Sequence, residues 1–463
     1  MKFVWLSQKK IPHTFINFCA ISACFIYAHL AYFTVRTDFL QLIILSALPF
    51  AITFILIEKS ELNFKQLAII SIIYRFIFLL ATPNLSQDFF RFFWDGQMVL
   101  DGINPYLQNV NYYFDKGLAH NIHRAEILRQ GMGELNASHY SNYPPFSQFL
   151  YAVSAWFAGE SIPGFIIALR LILIGFDVLF IFFAGKILRY FNKTPKRLFW
   201  YILNPLCLLE ITGNLHLEGV MIALFVTGFY FILKNQYWWS ALLISLSIST
   251  KLMSLIFIPV TLVYFWKHYK FPSNLKQISK FGLGLILFLL VEFAWFYSPS
   301  FVNNFSETIA LWFGKFEFNA CIFYLVRGLG YQIVGWNIIE TYAQIMPILS
   351  ILIFLAILYK RKAQTQTMLG IFMWMLCVYY FLSTTIHPWY ILFPLALSVF
   401  TRYKFMQVWS FLILLSYNAY QSDSVEESFW LLTLEYGILA LVIIYELKKN
   451  SGEGYFVNLS LNL

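Results

Sequence analysis

The chain has 463 residues, 60% of them hydrophobic, 20% aromatic and only 12% charged, with a mean hydropathy of +0.66. A soluble globule carries about 25% charged residues, so these proportions exclude an ordinary soluble enzyme and describe a polytopic membrane protein. The net charge of +9 does not argue for nucleic acid, because in such a protein excess Lys and Arg mark loops facing anionic lipid.

Lys2, Lys9 and Lys10 precede an apolar run with no small-residue cleavage site after it, which reads as an uncleaved first span. Runs of about 20 apolar residues mark spans, and shorter ones fit inside a bundle. They fall at about 14–34, 39–57, 66–82, 164–188, 198–212, 216–233, 238–250, 252–266, 279–298, 337–359, 367–384, 388–400, 405–420 and 428–446. The expected architecture is an all-α polytopic membrane protein, a single integral membrane domain over 1–463 with about 14 transmembrane helices. No internal repeat is evident. Threading from a cytoplasmic N-terminus places 22 of the 32 Lys and Arg on one side, in clusters from Lys2 through Lys186–Arg197, Lys267–Lys280 and Lys360–Lys362 to Lys448 and Lys449. The opposite side carries acids such as Asp423-Ser-Val-Glu-Glu427. This asymmetry puts both termini in the cytoplasm.

The segment 143–157 is apolar enough to span, but a span there would move Lys186, Arg189, Lys193, Lys196 and Arg197 to the outer side. It reads instead as an interfacial helix started by its prolines and anchored by Tyr143, Tyr151 and Trp156. Residues 83–163 then form one long external loop with seven acids against four bases, and 299–336 a second. Cys19, Cys24, Cys207 and Cys377 lie in apolar runs, Cys321 stands in a loop, and no Cys-x-x-Cys occurs. Neither disulfides nor a thiolate metal site is expected.

The first external loop holds the densest chemistry. Ser86 reads as a helix N-cap, placing Asp88 in the first turn, where the helix dipole favours an ionised carboxylate. Asp95 lies on the same face roughly 10 Å farther along, and Arg91 is within reach of both acids. A salt-bridged interfacial helix with an aromatic face (Phe89, Phe90, Phe92, Phe93, Trp94) is the bland alternative. Cations inside apolar runs are costly unless paired or holding an anion. Arg75, Arg170 and Lys251 are such cations; Asp177, seven residues from Arg170, is a fair internal partner, whereas Lys251 has no acid nearby in sequence. Two outer hairpins present His216 with Glu218, and His387, which together suggest a polar pocket. His216 and Glu218, two apart, are a poor chelating pair, so no metal site is expected, although dependence on a divalent metal stays open.

These pieces resemble the multispanning glycosyltransferases of the GT-C class, and most nearly the polyprenol-phosphomannose-dependent mannosyltransferases of bacteria. The likeness rests on Asp88-Phe-Phe-Arg-Phe-Phe-Trp-Asp-Gly96, Gly102-Ile-Asn-Pro-Tyr106, Tyr143-Pro-Pro145, Gly213-Asn-Leu-His-Leu-Glu218, Thr250-Lys-Leu252, Phe316-Glu-Phe-Asn319 and His387-Pro-Trp-Tyr390, in one order over about 300 residues. The resemblance implies a GT-C-like bundle, with the essential acid in the first external loop at Asp88 and a second acid at Asp95. It implies a substrate pocket drawn from Trp94, Asn104, Tyr106, Tyr143, His216, Glu218, Glu317, Asn319, His387, Trp389 and Tyr390. One departure is that the loop follows the third span rather than the first.

Transfer from a sugar phosphate needs a base for the incoming hydroxyl and fixed cations for the departing phosphate. Asp88 is the expected base, supported by Asp95 and Arg91, with Lys251, Arg75 and Arg170 as phosphate holders. The expected partners are the bilayer, a polyprenyl-phosphate hexose (mannose above others) as donor, and a glycan or lipid acceptor at the periplasmic face. No cofactor is expected beyond the lipid-linked donor. Inversion in one displacement is implied by the class. A transporter or flippase for lipid-linked sugars is the competing reading, and a surface-polysaccharide polymerase or ligase a third.

Overall fold

The computed structural model describes residues 11–360, 364–422 and 425–451. Lys2, Lys9, Lys10, Arg361, Lys362 and Asp423, which carry part of the charge asymmetry, lie outside those residues. Among the described residues the chain is helical, with no strand and one isolated bridge between Phe318 and Thr385.

Three helices, α1 (His13–Tyr32), α2 (Phe39–Phe54) and α3 (Phe64–Ile77), lead into the first long loop. That loop folds as α4 (Asp88–Leu100), α5 (Val110–Asp115), α6 (Ala125–Ser138) and α7 (Pro145–Ala158) before α8 (Ile162–Tyr190). A hinge of short turns then leads to α9 (Glu218–Leu233), α10 (Tyr237–Thr250), α11 (Leu252–His268) and α12 (Ser273–Ala294). The second loop also turns out helical, as α13 (Pro299–Gly314) and α14 (Ile322–Val334). The remainder is α15 (Ile339–Lys360), α16 (Thr365–Leu382), α17 (Pro388–Ser398), α18 (Phe405–Leu412, continued by tight turns to Tyr420) and α19 (Phe429–Ser451).

Every apolar run expected to span is wholly or largely helical, but among the described residues seven helices (α1, α2 with its extension to Lys59, α8, α12, α15, α16 and α19) are long and apolar enough to cross a membrane. The count becomes eight if Pro205–Gly213 and α9, bent by 110°, act as one broken span. Fourteen crossings are thus not confirmed; Leu252–His268, Ile322–Val334 and Pro388–Ser398 are shorter apolar helices beside these. The physical reason is visible at 198–212: Pro195 and Pro205 each restart the helix at its first position, and Leu208–Gly213 winds in wider turns. Length that would have crossed a bilayer is spent on a hinge.

Helix α4 is pressed into the bundle rather than lying on its surface. A Cβ on Gly96 would sit 2.5 Å from the carbonyl oxygen of Tyr151, so only glycine lets α4 and α7 approach this closely. Phe92 stacks on Tyr151 at 4.5 Å and Phe93 on Phe165 at 4.7 Å. Trp156 and Phe157 remain exposed, as an interfacial anchor requires, but Tyr151 is buried and anchors α7 to α4 instead.

Two of the buried cations serve the scaffold. Arg75 Nε lies 2.5 Å from Asp177 Oδ2, so Asp177 pairs with α3 and not with Arg170 of its own helix. Arg170 donates to the carbonyls of Leu79, Ala81, Thr212 and Gly213 at 2.7–3.0 Å, tying the exit of α3 to the hinge. Both guanidinium groups are fully enclosed. Assigning them to a donor phosphate is corrected on that ground.

Candidate active site

Asp88 opens α4, its amide donating to Ser86 Oγ at 3.3 Å. Its side chain keeps 24% exposure, enough to meet a substrate from outside. Leu85 N donates to Asn214 Oδ1 at 3.3 Å, and Asn84 Nδ2 donates to the carbonyls of Leu30 and Thr34 at 2.7 and 2.5 Å. The approach to Asp88 is thus fastened to both α1 and the hinge.

The hinge brings His216 to Asp88, with Nε2 3.6 Å from Oδ2. On its other side Nδ1 lies 3.2 Å from Glu210 Oε2. His216 also packs against Trp389 at 4.1 Å between ring centres; Trp389 lies parallel to His387 at 4.5 Å, and His387 stacks on Phe318 at 5.0 Å. Two backbone bonds deliver that aromatic wall: Phe318 N donates to Thr384 O at 3.0 Å, and Ile386 N to Phe318 O at 2.8 Å. Lys251, at the end of α10, pairs with Glu218 and lies 5.8 Å from the centre of the Tyr390 ring. Ser147 Oγ donates to Thr250 O at 2.7 Å, holding the start of α7 beside Lys251.

The electrostatics follow from this packing. Burial pushes the Asp88 carboxyl up, but the contact with His216 and the charge of Lys251 outweigh it and hold it below the usual carboxylate range. Burial pulls His216 down, yet the contacts with Asp88 and Glu210 carry it up to about 9. Burial brings His387 down to about 3, so that ring is neutral. Glu218 Oε2 and His387 Nδ1 are buried without a hydrogen-bond partner among the described residues, as expected where a ligand completes the set.

The structure therefore gathers Asp88, His216, Glu218, Lys251, His387, Trp389 and Tyr390, with Tyr143 packed edge-on against Phe92 at 5.0 Å nearby. Other expected site residues lie elsewhere. Arg91 does not reach Asp88; it pairs with Asp95 at 2.8 Å and donates to the carbonyls of Asn136 and His139. Asp95 is fully buried and also accepts from Ser141 and Gln148, at 2.6 and 3.1 Å, so it braces the loop. Trp94 is core, packed on Tyr113 and Phe114. Asn104 donates to Phe296 O, and the Tyr106 ring packs on Phe296 and Phe301, so both pin the turn between α12 and α13. Glu317 pairs with Arg327 at 2.7 Å, and Asn319 bonds Glu427 and Glu435. Lys251 is not outside any ion pair, because Glu218 at the start of α9 is its partner. Glu210 was missed. An acid inside the apolar run 198–212 is the signal in the sequence that points to it.

Residues 23–267 match the family described as Alpha-(1->6)-mannopyranosyltransferase, N-terminal domain. That stretch is more than half of the chain and contains Asp88, Glu210, His216, Glu218 and Lys251. The chain belongs to the alpha-(1->6)-mannopyranosyltransferase family. It is also similar to Alpha-(1->6)-mannopyranosyltransferase A of Corynebacterium glutamicum, 22% identical over 213 residues, which cover 44% of this chain and 39% of that relative. The matched portion thus spans well under half of the relative's length. In this mannopyranosyltransferase-family protein His387, Trp389 and Tyr390 lie beyond the matched stretch.

Proposed function

We propose that the protein transfers a mannosyl group from a polyprenyl-phosphate mannose to a primary hydroxyl of a glycan or lipid-linked glycan, making an α-(1→6) linkage. The observation that carries this reading is Asp88: a partly exposed carboxylate, kept ionised, next to a cationic His216 and within the field of Lys251. In the displacement Asp88 takes the proton of the acceptor hydroxyl as that oxygen attacks the anomeric carbon. The anomeric C–O bond to phosphate breaks, and its electron pair leaves on the phosphate. No acid is needed for that leaving group, but its growing charge needs a cation. Lys251 is the expected holder, since Glu218 takes one of its three donors. One displacement inverts the anomeric centre. Incubating the purified full chain with labelled polyprenyl-phosphate mannose and a cell-lipid extract should give a labelled glycan and free polyprenyl phosphate. A protein that moved the intact lipid across vesicles without breaking the sugar–phosphate bond would be a transporter instead.

Lys251→Met should weaken donor binding through loss of a charge-assisted contact worth about 1.5–3 kcal/mol. The same change leaves Glu218 without its partner, so folding must be measured beside affinity. Unchanged donor affinity in folded Lys251→Met would remove Lys251 from this role.

The active site is proposed to face the periplasm, with both termini cytoplasmic, on the strength of the charge asymmetry. In a Cys321→Ser background, a cysteine replacing exposed Lys116 should react with an impermeant thiol reagent in intact spheroplasts, whereas one replacing exposed Lys276 should not. The reverse pattern would invert the topology.

A further inference from the structure

Glu210 is a fully buried acid that meets no lysine or arginine at ion-pair distance among the described residues. Its Oε1 accepts from the Tyr417 hydroxyl at 2.6 Å. Its Oε2 accepts from Asn214 Nδ2 at 2.9 Å and lies 3.2 Å from His216 Nδ1. The carbonyl of Glu210 also accepts the amide of His216 at 3.1 Å. Between them Leu215 stands at φ 65°, a left-handed conformation that a branched side chain rarely adopts and that persists only where surrounding contacts impose it. The imidazole is thus flanked on three sides at ion-pair and packing distance, by Glu210 at Nδ1, Asp88 at Nε2 and the tilted Trp389 ring, with neither ring nitrogen in a well-formed hydrogen bond among the described residues.

We infer that Glu210 is a positioning residue for the transfer reaction, holding His216 as an imidazolium between two carboxylates so that Asp88 meets the acceptor ionised. This rests on the reading that Asp88 is the base. A buried carboxylate is costly without a cation, and His216 is the group placed to supply one to Glu210 and Asp88 together. The charged and titratable groups facing the ring are Asp88 from α4, Glu210 from the hinge and Glu218 from α9. His387 and Lys251 stand farther off, and Tyr417, Tyr420 and Arg36 lie on the far side of Glu210. During transfer Asp88 gains the acceptor's proton, and His216 keeps its own.

The test is the pH profile of turnover, measured on the full chain with labelled polyprenyl-phosphate mannose. In the native protein the acid limb, set by Asp88, should lie below the ordinary carboxylate range. In Glu210→Gln the imidazole loses one of its two anionic partners and deprotonates more readily. The ring should therefore lose its proton about 1–3 pH units earlier, the usual effect of one close opposite charge, so turnover should fall along a basic limb at lower pH than in the native protein, where Asp88 comes to face a neutral imidazole, while the acid limb stays in place. Donor KM should change little, because Glu210 does not touch the donor. Glu210→Asp keeps the charge at longer range and should give an intermediate basic limb. If Glu210→Gln does not fold, Glu210→Asp alone decides, a lowered basic limb supporting the inference and an unmoved one overturning it. A variant slowed by one factor at every pH would show a merely structural acid and would also overturn it. If Asp88→Asn keeps full turnover, the base reading fails first. If Asp88→Asn is inactive while the basic limb of Glu210→Gln stays in place, only the role of Glu210 falls.

Discussion

Asp88→Asn is expected to lower turnover by about 10²–10⁴-fold, the usual contribution of a general base. Asparagine has nearly the same shape, and it can still serve at the start of α4, but it cannot accept a proton. The chain should still insert, and donor should still bind, because Lys251 and the aromatic wall are untouched. Some strain at His216 is expected, since its Nε2 would face an amide instead of a carboxylate 3.6 Å away. Asp95→Asn should behave differently. Asp95 is sealed under Arg91, Ser141 and Gln148, so its loss should appear as a less stable loop around α4 and α6. Single-turnover rates with saturating labelled donor separate the two. Near-normal turnover in Asp88→Asn together with a dead but folded Asp95→Asn would exchange their roles.

Asp177→Asn is expected to destabilise the fold by about 3–5 kcal/mol, the cost of leaving a buried charge unpaired. Arg75 has no second carboxylate; its other contact is the carbonyl of Ser71 at 3.0 Å. Against a total stability of about 5–15 kcal/mol, the loss should show as a lower yield and an earlier thermal transition in detergent. The molecules that do fold should retain turnover, since α3 and α8 meet away from Asp88. Replacing both partners, as Arg75→Met with Asp177→Leu, should recover most of the stability, because the pair offsets its own desolvation only narrowly. A single Asp177→Asn variant that melts with the native protein would mean that the pair is not what holds these helices.

The sequence carried the start of α4 at Asp88, the meeting of His216 and His387 and the order of helices, because each left a local mark: polar residues before Asp88, turns around His216 and His387, apolar runs of regular length; the cap itself is misplaced, since Gln87 and not Ser86 stands at the N-cap, without a side-chain bond. It did not carry partnership across the bundle. Asp177 was matched to Arg170 by spacing on one helix, yet the side chain reaches Arg75 on another. Lys251 looked unpaired for the same reason, since Glu218 is distant in sequence and close in space. Asp95 shares a helix face with Asp88, which made it look catalytic; only the packing of Ser141 and Gln148 over it shows otherwise. Hydropathy counts apolar residues and not the length of uninterrupted helix, which the Pro205 hinge cuts short, so among the described residues fewer helices than apolar runs have the length of a full crossing.

Freedom of movement is distributed unequally around the site. Arg170 clasps four carbonyls from the exit of α3 and the hinge, so Asp88 and His216 travel as one piece or not at all. The opposite wall, which carries His387 and Trp389, is joined to the Phe316–Asn319 segment through two backbone hydrogen bonds and one from Thr385 Oγ1 to Phe316 O. A few bonds of that kind open at far less cost than an enclosed guanidinium with four acceptors. Breathing wide enough to admit the proposed lipid-borne sugar therefore belongs to the His387 side, and Asp88 stays still while the doorway moves.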